Sequence, residues 1–554
     1  MTVAWHRARE PLTVLAIALF TGVLSTSQRW AGLDTPDSSF YATLALFGDE
    51  VTDRAPEDSY YWTRLGYIAP VRLLTTLLGA WHGFSAYRLL LILLIVAATY
   101  ITLRRFTGIV SAGFLALLTS LSTVVLSYLG NPYITGSVMA GTAVLIACAM
   151  FSSRRAGAAA GVTLGWLVMV YPPGALLAGT IWLVLRIQSR TRLVVPLLVA
   201  GATTAVTFAL YLLAGRVIFP GKDWLRTYLD ANARIDYSVY ATPEPVWLQD
   251  VSLIVPIAIL IVVTVAWATH RSEVAAQRAL VLSLTSLTTM FTISQALGGY
   301  PLQSSMYQSM LWPPALIALG LVTTLALPDR GWTRLQVGAA VLAVLVVIAT
   351  GYVSPGIPLG LGWLLAGVSV AIYLVAGYKG TIGAIAGLAL LLSAAQLLQN
   401  SRGDLGLFYL SPYNWAFSAN PIEDRIRTAV DVQEWLLANT ARTDQILLWV
   451  DGEWVAGDRE LYVVAGMQLW GENLMTLNPT MTPDDVTRLD TIRPTALAMY
   501  GQSMDAVLRF WSSIPAENLP TVPDCYDFAW TPDPSSDFTV TQGHACLTQL
   551  TWPG

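Results

Sequence analysis

The chain has 554 residues, of which 55% are hydrophobic and only 12% charged, against a charged share of about a quarter in ordinary soluble domains. Too few polar side chains exist to cover a globule of this length, which excludes a water-soluble enzyme and indicates a polytopic membrane protein. The net charge of −4 lacks the basic excess that marks nucleic-acid binding.

His6, Arg7 and Arg9 precede an apolar stretch from Pro11 to Leu24. No small-x-small cleavage site follows, and many apolar runs come after it, so an uncleaved first helix is expected. Hydropathy predicts about thirteen spans. They cover 11–28, 87–103, 109–127, 134–151, 157–170, 174–187, 193–214, 251–269, 278–297, 311–327, 335–352, 358–377 and 381–399. With the N-terminus cytoplasmic, the inner connections hold Arg104 and Arg105, Arg154 and Arg155, Arg186, Arg190 and Arg192, Arg271 and Arg278, Arg330 and Arg334, and Lys379. Every short inner loop is then basic, as the positive-inside rule requires. The same register places the first loop (29–86), the segments 215–250 and 298–310, and everything after residue 400 outside.

The first loop carries Asp34 and Asp37 just beyond the end of an apolar helix, within Gly32–Tyr41. Ionisable groups this close to hydrocarbon are costly and are usually functional. A structural alternative is a polar turn in which Asp37 faces the positive end of a helix dipole. Further along, Arg64–Leu78 holds Arg64 and Arg72 in an otherwise apolar stretch, which favours a helix lying along the interface. Tyr60, Tyr61, Trp62 and Tyr67 suit the headgroup zone. Asn131-Pro-Tyr133 and Tyr171-Pro-Pro-Gly174 read as turns at the outer face, with acceptor contact and a place in the site lining as the respective alternatives.

Residues 1–399 thus form a membrane domain, and 400–554, richer in Asp, Asn, Pro and Thr, form an extracytoplasmic α/β domain. A helix is expected over Asp424–Leu437, a strand over Gln445–Val450, and a helix opening at Thr482-Pro-Asp-Asp485. A strand over Thr495–Tyr500 follows, then a helix capped by Ser503. Strand and helix alternating in this way argue for a small, partly parallel sheet. Cys525 and Cys546 both fall here, where an oxidising compartment would favour a disulfide, the alternative being two unrelated thiols. Cys148 lies in an apolar run as a packing residue. Asp451, Glu453, Asp458 and Glu460 are close in sequence but lack the calcium-loop spacing. There are only four histidines, no zinc-ligand spacing and no P-loop. No cofactor and no metal are expected, and a divalent cation has no motif to support it.

Pro36-Asp37-Ser38-Ser39-Phe40-Tyr41 resembles the P-D-E-x-x-Y stretch in the first external loop of the GT-C membrane glycosyltransferases, most closely the protein O-mannosyltransferase and lipid A aminoarabinose transferase type. Ser38 stands where that family commonly has Glu. Gly66-Tyr-Ile-Ala-Pro70 occupies the place of the family's H-P-P-L interfacial segment. Phe84-Ser-Ala-Tyr-Arg88-Leu89 looks like the entry to its second span, and Arg104-Arg105-Phe-Thr-Gly108 like the basic turn after it. The resemblance covers roughly residues 10–190 well. It implies a GT-C-like bundle and transfer of a sugar from a polyprenyl-phosphate donor to a cell-envelope glycan, lipid or protein at the outer face of a bacterial cytoplasmic membrane.

Such a reaction needs a base within reach of the acceptor hydroxyl, a role the resemblance gives to Asp37, with Asp34 as second carboxylate. A lipid-phosphate leaving group calls for cations, and the arginine fork suits phosphate. Arg64, Arg72 and Arg88 are the candidates, with snorkelling to lipid headgroups as the plain alternative. Tyr41, Tyr67, Lys222, Trp224 and Arg226 are candidate substrate contacts, although an aromatic belt accounts for the rings equally well. The rival functions are a transporter or flippase of lipid-linked saccharides, which would want polar groups at mid-membrane, and a non-catalytic envelope scaffold.

Overall fold

The computed structural model describes residues 2–24, 60–121, 133–189, 193–221, 223–234, 270–298 and 309–325. In the tail it describes 446–451, 474–476, 478–501, 503–515, 524–529 and 542–550, with a few single residues elsewhere, Tyr41 and Tyr307 among them. Asp34, Asp37 and Lys222 lie outside the described residues, as do the expected spans 335–352, 358–377 and 381–399, most of 251–269 and the helix expected over Asp424–Leu437.

The described part of the membrane region is helical. In chain order it holds α1 (Thr2–Leu24), a 3-10 turn (Tyr60–Thr63), α2 (Leu65–Leu78), α3 (Ala80–Arg104), α4 (Ile109–Ser120), α5 (Ile134–Ala149) and α6 (Arg154–Val170). Then come α7 (Pro172–Gln188), α8 (Val194–Ile218), α9 (Trp224–Arg234), α10 (Val274–Ala296) and α11 (Trp312–Thr323). Among the described residues, three stretches are long and apolar enough to cross a membrane: His82–Arg104, Val194–Ile218 and Val274–Ala296. The helices start earlier than hydropathy alone suggests, because α3 and α6 take in His82 and the pair Arg154 and Arg155. Charged ends add little apolar signal yet extend the hydrogen-bonded ladder.

Burial sorts these helices. In α5 every residue but Val144 is buried, and its Gly and Ala content lets neighbours approach closely. α8 is the opposite case: Val194, Leu198, Val206, Leu210 and Leu213 are exposed, and Val217 is 81% exposed. A row of naked aliphatics on that scale is tolerable only against hydrocarbon. The backbone of α8 is nevertheless pressed onto α6. A Cβ added to Gly161 would collide with Thr203 Oγ1 and the Ala200 carbonyl, and Gly157 and Gly165 meet α8 in the same way. Small residues at four-residue spacing make this contact, as in membrane helix pairs generally.

The tail strands are β1 (Ile446–Val450), β2 (Leu474–Thr476), β3 (Ala496–Gly501), β4 (Asp524–Ala529) and β5 (Gln542–Gln549), with helices α12 (Pro483–Ile492) and α13 (Met504–Trp511). They form one sheet in the order β2-β1-β3-β5-β4. β1 runs parallel to β2 and to β3, and the β3–β5 and β5–β4 pairs are antiparallel. Side chains alternate between faces. Leu447, Trp449, Leu497, Met499 and Cys546 pack with Leu489, Val507 and Phe510, and Trp449 stacks on Phe510 at 4.7 Å. Ile446, Leu448, Ala496, Ala498 and Leu547 are buried on the other face.

Both expected caps form. Thr482 Oγ1 accepts from the Asp485 amide while Asp485 Oδ2 accepts from the Thr482 amide, and Ser503 Oγ accepts from the Ala506 amide. Cys525 and Cys546 lie opposite one another in the β4–β5 register and are joined as a disulfide. The bond ties the edge strand to its neighbour.

Candidate functional site

The first loop returns to the bundle at Tyr41, which is fully buried. Its ring is met edge-on by Tyr61 at 5.4 Å and Tyr67 at 5.8 Å, and Tyr133 lies tilted against it at 5.5 Å. Tyr67 in turn contacts Tyr87 at 5.5 Å, and the Tyr87 hydroxyl shares a 2.8 Å hydrogen bond with Ser137 Oγ. Five tyrosines from the loop, the 3-10 turn, α2, α3 and the start of α5 therefore converge at one end of the helices. Edge-to-face geometry is the arrangement the ring quadrupoles favour.

Glycine allows this convergence. A Cβ at Gly66 would lie 2.7 Å from the Trp166 carbonyl and 2.8 Å from the Val170 amide, so α2 sits on α6 with nothing between. Trp166 Nε1 donates to the Gly66 carbonyl at 2.8 Å. Gly79 links α2 to α3 with φ +80° and ψ 158°, a conformation essentially restricted to glycine.

Arg64 precedes α2 and is 1% exposed. Nη1 donates to Asn232 Oδ1 at 3.4 Å, and the guanidinium lies 5.5 Å over the Tyr171 ring, which stacks on Tyr307 at 5.2 Å. Tyr171 is both the C-cap of α6 and the N-cap of α7. The proline after it disfavours helical backbone, so the chain turns there with Tyr171 extended. Asn232 is held by its own bond to the Tyr228 carbonyl, and the Tyr228 hydroxyl donates to the Val168 carbonyl at 2.9 Å. Arg88 on α3 is also buried, at 5% exposure. Burial at this depth rules out snorkelling for both arginines.

The remaining sequence candidates separate. Arg72 Nη1 donates to the carbonyls of Leu46 at 2.9 Å and Ala45 at 3.4 Å, which fastens α2 to the loop. Trp224 is buried against Phe219. Arg226 points away, 81% exposed, with Asp230 at 3.5 Å. Tyr87, Asn232 and Tyr307 were not singled out as site residues by sequence; rings at the outer ends of spans have the pattern of an interfacial belt, and only the fold shows which partners they meet.

Protonation states limit the chemistry. Burial pushes the Tyr67 phenol well up, and Tyr87 and Tyr41 add to the rise. The Tyr228 phenol is pushed up to about 12 by burial, with Arg64 pulling the other way. Both stay neutral near pH 7, able to donate or accept hydrogen bonds but unfit as bases. Among the described residues no group of three or more His, Cys, Asp or Glu side chains is placed to hold a metal ion.

No family model matches the chain, and no curated protein matches it. Comparison with solved structures finds an ArnT and an oligosaccharyltransferase, both at low identity. The aminoarabinose transferase ArnT of Cupriavidus metallidurans bound to undecaprenyl phosphate is 14% identical, with TM-score 0.46 over 97% of each chain; its apo form gives 0.43 over 98% of each. The Archaeoglobus fulgidus oligosaccharyltransferase tethered to an acceptor peptide is 11% identical, with TM-score 0.35 over 90% of this chain and 71% of that one. At this distance the likeness transfers no residue's role.

Proposed function

We propose that the chain is a membrane glycosyltransferase that moves a sugar from a polyprenyl-phosphate donor to a cell-envelope acceptor. In this reading the site lies at the extracytoplasmic face, the N-terminus is cytoplasmic, about thirteen spans form the 1–399 domain, and the 400–554 domain is extracytoplasmic. The observation that carries it is the burial of Arg64 in a tyrosine-walled end of the bundle. A phosphate on a lipid is a ligand that a guanidinium enclosed at this end of the bundle would suit. The arginine fork offers such a leaving group two parallel donors.

The base has to come from elsewhere, since Tyr67 and Tyr228 hold their protons. Asp37 is four residues from Tyr41, and four peptide units span at most about 14 Å, a reach compatible with its acting at the cluster. In the proposed step the Asp37 carboxylate takes the acceptor hydroxyl's proton and the oxygen attacks the anomeric carbon. The bond from that carbon to the phosphate oxygen breaks, and its electron pair stays on the phosphate beside Arg64 and Arg88. A single displacement of this kind inverts the anomeric centre. Asp34 serves as the second carboxylate, and Tyr41 and Tyr67 line the sugar's path.

The test is transfer of labelled sugar from a panel of polyprenyl-phosphate donors to envelope material by purified wild type and Asp37→Asn. Loss of transfer in the variant with donor binding intact supports the assignment. Activity that survives moves the base to Asp34. Wild type that binds donors but transfers from none overturns the enzymatic reading.

A further inference from the structure

Three arginines meet at the opposite end of the same helices. Arg105, just past α3, donates through Nη1 to the Met150 carbonyl at 2.7 Å and lies 4.9 Å over the Phe151 ring. Arg186 in the last turn of α7 donates to the Phe151 carbonyl at 2.7 Å, and Arg278 in α10 donates to the Leu185 carbonyl. Two acceptors, Met150 and Phe151, are sequence neighbours and the third, Leu185, precedes Arg186, so the guanidiniums share one patch. Arg105 and Arg186 both act electrostatically on Arg278.

Nothing described balances these charges. The ion pairs among the described residues join Arg104 to Glu10 and Arg226 to Asp230, and neither involves the three. Carbonyls at the ends of α5 and α7 bring only the partial negative charge of a helix C-terminus. Arg186 is 2% exposed, and its Nη2 is buried with no hydrogen-bond partner among the described residues. Around the patch Val110, Phe151 and Ile187 are exposed, at 58%, 36% and 53%. Cations set beside open apolar side chains match a molecule with a phosphate head and an acyl tail.

We propose that Arg105, Arg186 and Arg278 form a second phosphate site, occupied by the headgroup phosphate of an anionic phospholipid. It lies one α7 length, about 25 Å by helix rise, from the tyrosine cluster. Arg186 forms the floor, Arg278 the wall and exposed Arg105 the mouth. The site is independent of the transfer reaction, since its occupant is structural lipid and not the donor.

The experiment uses the full chain in phosphatidylcholine micelles. Phosphatidylglycerol and, separately, inorganic phosphate are titrated in, with bound lipid read by native mass spectrometry and the unfolding midpoint read by heating. Retained phosphatidylglycerol with a raised midpoint is expected, and Arg105→Gln and Arg278→Gln should each weaken retention about tenfold, the size of one charge-assisted hydrogen bond. Arg105 is exposed, so its variant tests the site even if a change at Arg186 unfolds the protein; Arg226→Gln serves as the unaffected control. A midpoint raised by inorganic phosphate but not by phosphatidylglycerol would keep the site and assign it a soluble phosphate instead. Wild type that responds to neither ligand, or both variants retaining lipid as wild type does, would overturn the proposal.

Discussion

Both ends of the helical bundle hold arginines, and the two ends treat them differently. At one end Arg105, Arg186 and Arg278 lean on backbone carbonyls at and just past the C-terminal ends of helices. At the other, Arg64 is enclosed by Asn232 and the Tyr171 ring in a wall of tyrosines. The first arrangement uses what any helix terminus supplies. The second needs five or more elements to converge, which makes it the more specific and the more informative about activity. Position in a loop does not distinguish these two sets of arginines; what surrounds them does.

Several measurements would break or sharpen that contrast. Arg64→Gln should lower transfer by about 100-fold or more, the loss typical when one preorganised group on a developing charge is removed. Equal loss on replacing Arg226 would mean that enclosure is irrelevant. In the tail, Cys525→Ser should cost about 3 kcal/mol, judged from the 21-residue separation of the bridged pair. Denaturation of the purified protein with and without reductant measures that loss. Gly161→Ala should cost about 1–3 kcal/mol, because the new methyl meets α8 backbone; unfolding in detergent is the readout, and the donor-binding end should be spared. The smallest effect belongs to Arg226→Ala, whose exposed pair with Asp230 should leave the unfolding midpoint where it is.

What could be seen in the sequence follows a physical line. Helices and strands announced themselves where local chemistry decides them. Thr482 with Asp485, and Ser503, are caps that work within one turn, and β1 and β3 are apolar runs between polar turns. Arg64 and Tyr41 were visible as unusual residue types in an interfacial setting. Tyr171 and Tyr133 were read as turn residues because a Pro neighbour is a local signal, while the ring's partner depends on which helices pack together. Gly157, Gly161 and Gly165 carried a spacing whose meaning appears only with α8 alongside. Arg72 shows the same limit from the other side: nothing in the sequence marks the carbonyls of Ala45 and Leu46 that its Nη1 meets.

Tyr171 joins two helices without any other residue between them. A linker of several residues would let α6 and α7 change their mutual angle while absorbing the difference. Here there is no slack, and the two prolines that open α7 stiffen the joint further. Any tilt of the hairpin swings the ring that lies under the Arg64 guanidinium. The joint acts as a lever arm of zero length, through which strain applied along either helix arrives at the enclosed charge.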